Sequence, residues 1–273
     1  MKKVLGYVAK GGLGNRLRSL ATSIHIAQDL DRYLDIYWTR YNKMGAAFNS
    51  LFINNGFSVY ESAHKDGALD YFTKKYEGWP VSEITNSTVL REQFVDVDVV
   101  VYNIWCWGYL GDEDEVGGKR RHFRKKYGAI LKNKMQWHPY IVDKVRGFAE
   151  TYPLRECVGV HVRRGDIGRP QWKDRWVNED QYHEALQDED RPILLATNGP
   201  AVINSFKAKY PGRVIHYGCS DFRTDNDLPV QDAAVEMHLL SRCQYILAGP
   251  SSFSEVAEYM GGIKRIVLKQ EEA

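Results

Sequence analysis

With 273 residues, 44% of them apolar and 26% charged, the chain can form one large or two modest domains with ample core. Its 37 basic and 35 acidic side chains leave a net charge of +2, which speaks against a nucleic-acid coat but allows a local cationic cleft. Cys106, Cys157, Cys219 and Cys243 lie far apart with no metal-ligand spacing, so reduced, buried thiols are expected rather than a disulfide framework.

After Lys2 and Lys3 the first apolar run ends at Ala9 and contains Gly6, too short for a signal-peptide core. No other run approaches the roughly eighteen apolar residues of a membrane span. A cytoplasmic, soluble protein is expected, provided no leader or stem precedes this sequence.

Residues 3–9 are strand-like and stop abruptly at a glycine-rich turn, Gly11, Gly12, Gly14 and Asn15. From Arg16, Leu17, Leu20, Ala21, Ile24, Ala27 and Leu30 recur at helical spacing. Strand, glycine turn and helix together permit close backbone approach and offer helix-start N–H groups to an anion. The glycine spacing is neither that of the dinucleotide fingerprint nor that of a P-loop. A purely structural tight turn fits this segment equally well.

Strand character returns over 34–38. Residues 39–95 are mixed, with short pieces at 46–53 and 57–60. Tyr71, Phe72, Tyr76 and Trp79 lie among them, as core residues or as platforms for a sugar ring. A strand is expected over 97–104, then an acidic loop at 112–115 and a basic run at 119–126 that reads as a solvated face. Helices are expected at 123–131 and 140–149, the second with Pro139 near its start. A domain boundary is placed within 148–156, giving an N-terminal domain over 1–152 and a C-terminal one over 153–273.

The second half is regular. Strands at 158–162, 193–196, 214–217, 245–248 and 265–268 alternate with helices near 179–186, 200–209, 231–242 and 252–260. That is a doubly wound parallel sheet, and the first half repeats the theme less cleanly. The expected fold class is α/β, two Rossmann-like domains facing across a cleft.

The stretch Cys157-Val158-Gly159-Val160-His161-Val162-Arg163-Arg164-Gly165-Asp166 opens as a buried strand and ends in two cations. Arg163 and Arg164 arrive at its carboxyl end, where open α/β sheets place their ligands. Forked guanidinium donors match phosphate oxygens. A solvated arginine pair salt-bridged to Asp166 is the alternative. At the same edge fall Thr197, Asn198 and Gly199, and then Gly249, Pro250, Ser251 and Ser252 directly before a helix. Such serines cap helices and also offer donors to a phosphate. Glu236 and His238 lie among apolar neighbours, where a carboxylate is costly unless it accepts donors.

The segment His161 to Asp166, with Glu236-Met237-His238-Leu239-Leu240-Ser241-Arg242-Cys243 and Gly249-Pro250-Ser251-Ser252-Phe253-Ser254, resembles the α1,2/α1,6/protein-O-fucosyltransferase superfamily. Gly11-Gly12-Leu13-Gly14-Asn15-Arg16 resembles its amino-terminal glycine loop, so the likeness covers essentially the whole chain. It implies a two-domain glycosyltransferase-B fold, GDP-β-L-fucose as donor, no metal, and inversion at the anomeric centre. A glycan acceptor is expected with it, while the near-balanced charge and the short apolar runs leave no nucleic-acid partner and no membrane span expected. Arg163 would hold the β-phosphate, Arg164 would support the motif or the phosphates, and His161 and Glu236 would face guanine. Ser251 and Ser252 would bond the diphosphate, while Gly12, Gly14 and Asn15 would approach the donor from the other domain. Asn198-Gly199 departs from the paired acids common there, and Glu236 replaces an aspartate.

The general base is open among Asp174, Asp166 and Glu179, with Asp174 preferred. Asp112-Glu113-Asp114 and Asp188-Glu189-Asp190 imitate an acidic metal triplet but follow no apolar strand, and the histidines lack ligand spacing, so no metal is expected. Two rivals stand beside fucosyl transfer: another nucleotide-sugar transferase of the same fold, and a non-catalytic GDP- or phosphate-binding protein.

Overall fold

The computed structural model describes residues 3–41, 44–54, 56–64, 66–86, 88–89, 91–94, 96–104, 108–110, 120–164, 176–218 and 226–269. The chain divides into two compact units, Met1–Pro139 with Arg223–Gln231, and Tyr140–Phe222 with Asp232–Ala273. The sequence pattern places one boundary within 148–156. The structure instead passes between units at Pro139–Tyr140 and returns Arg223–Gln231 to the first unit. There Asp227 accepts the backbone N–H of Ala47 at 2.7 Å, and Gln231 Nε2 donates to Ser50 O at 2.6 Å.

The first unit holds β1 (Val4–Ala9), α1 (Leu13–Asp29), β2 (Tyr33–Thr39), α2 (Phe48–Leu51), β3 (Ser58–Ser62), α3 (Ala68–Lys75) and β4 (Val81–Ile84). It continues with β5 (Thr88–Val89), β6 (Val99–Tyr102), β7 (Tyr109–Leu110) and α4 (Arg120–Asn133). Its main sheet is parallel, in the order β3-β2-β1-β6-β4, and β5 pairs with β7. Every residue of β1 and β6 is buried, as a central strand covered on both faces requires. Gly6 lies under Phe72 of α3, whose ring would stand 2.7 Å from any Cβ there, so glycine is what lets the helix settle on the sheet.

The second unit runs α5 (Pro139–Thr151), β8 (Val158–Val162), α6 (Glu179–Ala185), β9 (Ile193–Thr197), α7 (Pro200–Lys209) and β10 (Val214–His216). It ends with α8 (Asp227–Leu240), β11 (Tyr245–Ala248), α9 (Ser252–Gly261) and β12 (Lys264–Val267). The first residues of α5 and α8 belong to the first unit. All pairings are parallel, in the order β10-β9-β8-β11-β12. Val158, Val160, Val162, Ile193, Leu195 and Leu247 form its core with Tyr182, Leu186, Val202 and Phe206. From β8 the chain winds outward to β9 and β10, then returns to the other flank of β8 as β11. The order therefore reverses between β8 and β11, the position outside whose carboxyl ends open α/β sheets bind ligands.

The expected strands and helices of this half recur within a few residues. In the first half α1 begins three residues before Arg16, at Leu13, because the helix takes in the last glycine of the turn. Within segment 46–53, left unassigned by the sequence pattern, the structure forms the four-residue helix α2.

Candidate functional site

Parallel pairing puts His161 of β8 level with Ala196 of β9 and Ala248 of β11, so the loops leaving these three strands share one edge. His161 is 7% exposed, its ring stacked on Phe253 with centroids 4.9 Å apart. Burial, reinforced by the cations Arg163 and Arg265, pushes it down to about 3, so it is neutral. Its Nδ1 is buried without a hydrogen-bond partner.

The two arginines of the motif separate here. Arg164 Nη1 donates to Arg163 O at 3.0 Å and to Val177 O at 3.2 Å, while Nη2 lies 3.5 Å from Glu179 Oε1. Its guanidinium sits 4.5 Å from the Trp176 ring centroid. Asn198 clamps its backbone from both sides, accepting from Arg164 N at 2.6 Å and donating to Arg164 O at 2.9 Å. Gly199 is needed beside it, since a Cβ there would stand 2.9 Å from Arg164 Cγ. Asn198-Gly199 thus holds the arginine loop to the end of β9. Arg163 is partly exposed at the same edge. Glu179 is engaged by Arg164, whereas Gly165, Asp166 and Asp174 lie outside the described residues.

Across the switch point, Ser251 caps α9 by accepting from Phe253 N at 3.2 Å, and Ser252 opens the helix. Arg265 braces this turn, donating to Ser251 O at 3.2 Å while paired with Glu258 at 2.9 Å. One side chain that sequence reasoning missed joins both loops. The buried Tyr182 hydroxyl donates to His161 O at 3.1 Å and accepts from Gly249 N at 2.9 Å. Tyr182→Phe should therefore strand a buried N–H and lower stability by about 1–3 kcal/mol, measurable by denaturant titration. Unchanged stability would deny this hydroxyl its bridging role.

Glu236 of α8 is 9% exposed, and burial, with Asp232 nearby, pushes it up to about 8. Its Oε1 is buried without a partner, 3.9 Å from His216 Nε2.

In the first unit Gly12 is the N-cap of α1 and Gly11 takes φ +77°, the left-handed geometry that glycine tolerates. Gly14 is buried in the first turn, and Asn15 Oδ1 accepts from Arg18 Nη2 at 2.6 Å. Tyr71 stacks on Tyr60 at 4.3 Å, and Phe72, Tyr76 and Trp79 pack against the sheet. Cys157 and Cys243 are buried free thiols, whereas Cys106, Cys219 and the triplet 112–114 lie outside the described residues. Glu189 of the other triplet is held by Arg191 at 2.6 Å and accepts from Tyr245 at 2.9 Å. Among the described residues no group of three or more His, Cys, Asp or Glu could hold a metal ion, and no helix is long and apolar enough to cross a membrane.

No protein-family profile and no curated protein matches the sequence. Solved structures do match. An arginine-to-lysine mutant of Arabidopsis thaliana FUT1 in complex with GDP is 18% identical, with a TM-score of 0.65 over 100% of this chain and 71% of that one. NodZ α-1,6-fucosyltransferase co-crystallised with GDP is 17% identical, with a TM-score of 0.63 over 94% and 92%. POFUT1 in complex with GDP is 12% identical, with a TM-score of 0.53 over 97% and 98%. The chain has the glycosyltransferase-B fold of these fucosyltransferases. At the β8–β11 switch point, Arg163 follows the end of β8 and the Ser251–Ser252 helix start follows the end of β11, with His161 of β8 stacked on Phe253 of that helix.

Proposed function

We propose that the chain is an inverting, metal-independent fucosyltransferase that moves L-fucose from GDP-β-L-fucose to a glycan hydroxyl, in α1,2 or α1,6 linkage. The observation that carries this reading is that Arg163 follows β8 while a serine-capped helix start follows the neighbouring strand β11, at the switch point of the second sheet. A departing diphosphate would meet a guanidinium there, with hydroxyl and N–H donors beside it. Full-length likeness to GDP-bound fucosyltransferase structures supports the choice of donor.

In the proposed step an acceptor oxygen attacks the fucosyl C1 from the face opposite the diphosphate. Its proton passes to a base, for which Asp174 is the candidate, and the bond from C1 to the β-phosphate oxygen breaks with its electrons going to GDP. Arg163, Ser251 and Ser252 stabilise that growing charge, and Arg164 holds the loop that presents Arg163. The second unit is the donor domain. The first would read the acceptor, with Gly12, Gly14 and Asn15 acting toward the donor.

Glu236 would accept guanine N1–H and N2–H as a carboxylate. Free, it is protonated at neutral pH because burial raises it to about 8. Binding that demands the ionised form must expel its proton, so GDP affinity should rise with pH up to about 8 and level off above. Calorimetry with chelator present should show this slope, and Glu236→Gln should weaken GDP binding and flatten the slope. Incubation with labelled GDP-fucose and a glycan array, again with chelator, should yield product. Absence of GDP binding until a divalent cation is added would refute the metal-free reading.

A further inference from the structure

His216, the last residue of β10, has no part in the phosphate chemistry. Its Nδ1 accepts the backbone N–H of Gly218 at 3.1 Å. Burial, with Lys207 nearby, lowers its pKa and keeps the ring neutral. A neutral imidazole that accepts at Nδ1 carries its hydrogen on Nε2, so Nε2–H is a donor. That atom is buried with no partner, as is Glu236 Oε1, and the two lie 3.9 Å apart on side chains 8% and 11% exposed. The gap is too long for a hydrogen bond between them. A buried N–H donor and a buried carboxyl oxygen thus stand side by side, both unsatisfied, which native interiors rarely tolerate without a ligand or water.

We propose that His216 Nε2–H and Glu236 Oε1 form one nucleobase-reading edge, selective for a base that presents a ring carbonyl beside a ring N–H. The proposal rests on the reading of Glu236 as the base-binding carboxyl and adds a second, specificity-determining residue to it. Guanine places O6 against His216 and N1–H against Glu236, with its amino group next to the same carboxylate. Adenine in that seat turns an amino group toward Nε2–H and a bare ring nitrogen toward the carboxylate, a mismatch at both atoms. Uracil keeps the carbonyl and N–H but sets a second carbonyl where guanine has its amino group. The charged neighbour of Glu236 is Asp232 on the same helix, which accepts from Tyr140 of α5 at 2.8 Å and from Tyr217 at 3.0 Å. Lys207 of α7 acts on His216.

The test is calorimetric titration of the full chain with GDP, inosine diphosphate, ADP, UDP and inorganic pyrophosphate. His216→Leu should weaken GDP and inosine diphosphate about ten- to a hundredfold, the loss expected when one buried hydrogen-bonding partner is removed, and leave pyrophosphate unchanged. His216→Gln, whose amide N–H falls near the Nε2 position, should restore most of the affinity. If the wild type binds GDP and His216→Leu binds it equally well, or loses all nucleotides alike, the inference fails while the fucosyl-donor reading stands. If the wild type binds no GDP, both fall. Should His216→Leu misfold, His216→Gln is compared with His216→Glu, which keeps the length but offers an acceptor. Near-wild-type GDP affinity for the first with a loss of about tenfold or more for the second upholds the proposal, and equal GDP affinity for the two overturns it.

Discussion

Arg163→Ala is expected to lower turnover about a hundred- to a thousandfold, roughly 3–4 kcal/mol of transition-state stabilisation, the effect of removing one preorganised donor. The partly exposed Arg163 follows the carboxyl end of β8, and the helix start at Ser251 and Ser252 follows the end of the neighbouring strand β11. In the proposed role its attraction for the diphosphate would grow as the sugar bond breaks, so the loss should fall on kcat more than on donor binding. Arg163→Lys keeps the charge without the fork and should be nearly as damaging. Arg164 should behave differently. Its guanidinium is held by two carbonyls, Glu179 and Trp176, so Arg164→Ala should lower thermal stability and activity together. Steady-state kinetics on variants shown by circular dichroism to be folded separates the two. An Arg163→Ala enzyme with more than about a tenth of wild-type turnover, under 1.4 kcal/mol, would end the phosphate-clamp assignment.

The family resemblance implied different roles for Arg163 and Arg164, but the residues alone, two like cations after one strand, do not show what sets them apart. The difference comes from neighbours distant along the chain: Asn198 fixes the backbone of Arg164, and Val177 takes its side chain. Tyr182 was hidden for the same reason, since its partner Gly249 is 67 residues away. The second sheet was readable because β8 and β9 are buried runs, apolar but for His161 and Thr197, between helical patterns. The first sheet was harder. The edge strand β4 is half-exposed and carries Ser82 and Glu83, while α2 spans only four residues, too few to show a period. Glu236 was legible as a costly carboxyl among apolar residues. Its neighbour His216 was not, because the tautomer that makes it a donor is set by Gly218 N–H.

Arg16→Ala should be among the most destabilising single substitutions in the first unit, by about 3–5 kcal/mol. The sequence presents Arg16 as an ordinary early residue of α1, yet its side chain is 0% exposed. Nε donates to Gly11 O at 2.9 Å, Nη1 to Thr39 O at 2.5 Å and Nη2 to Thr39 Oγ1 at 3.2 Å. The Trp38 and Tyr41 rings lie 4.8 and 5.6 Å from its guanidinium carbon, and Tyr41 OH also accepts Gly11 N–H at 2.9 Å. Burial lowers its pKa to about 10, which still leaves it charged at neutral pH. Carbonyl dipoles and aromatic faces, rather than a carboxylate among the described residues, balance that charge. The alanine variant would leave two carbonyls without their donor and a cavity beside Trp38. Arg16→Met restores the volume but not the donors, so it should recover part of the loss. Arg16→Lys keeps the charge on a single point that cannot reach Gly11 and Thr39 together, and should do no better. For a unit of this size the expected fall in Tm for Arg16→Ala is about 10 °C. Calorimetric scanning of the three variants gives the order. A Tm within about 2 °C of wild type for Arg16→Ala would mean that the glycine turn and the end of β2 hold together without this side chain.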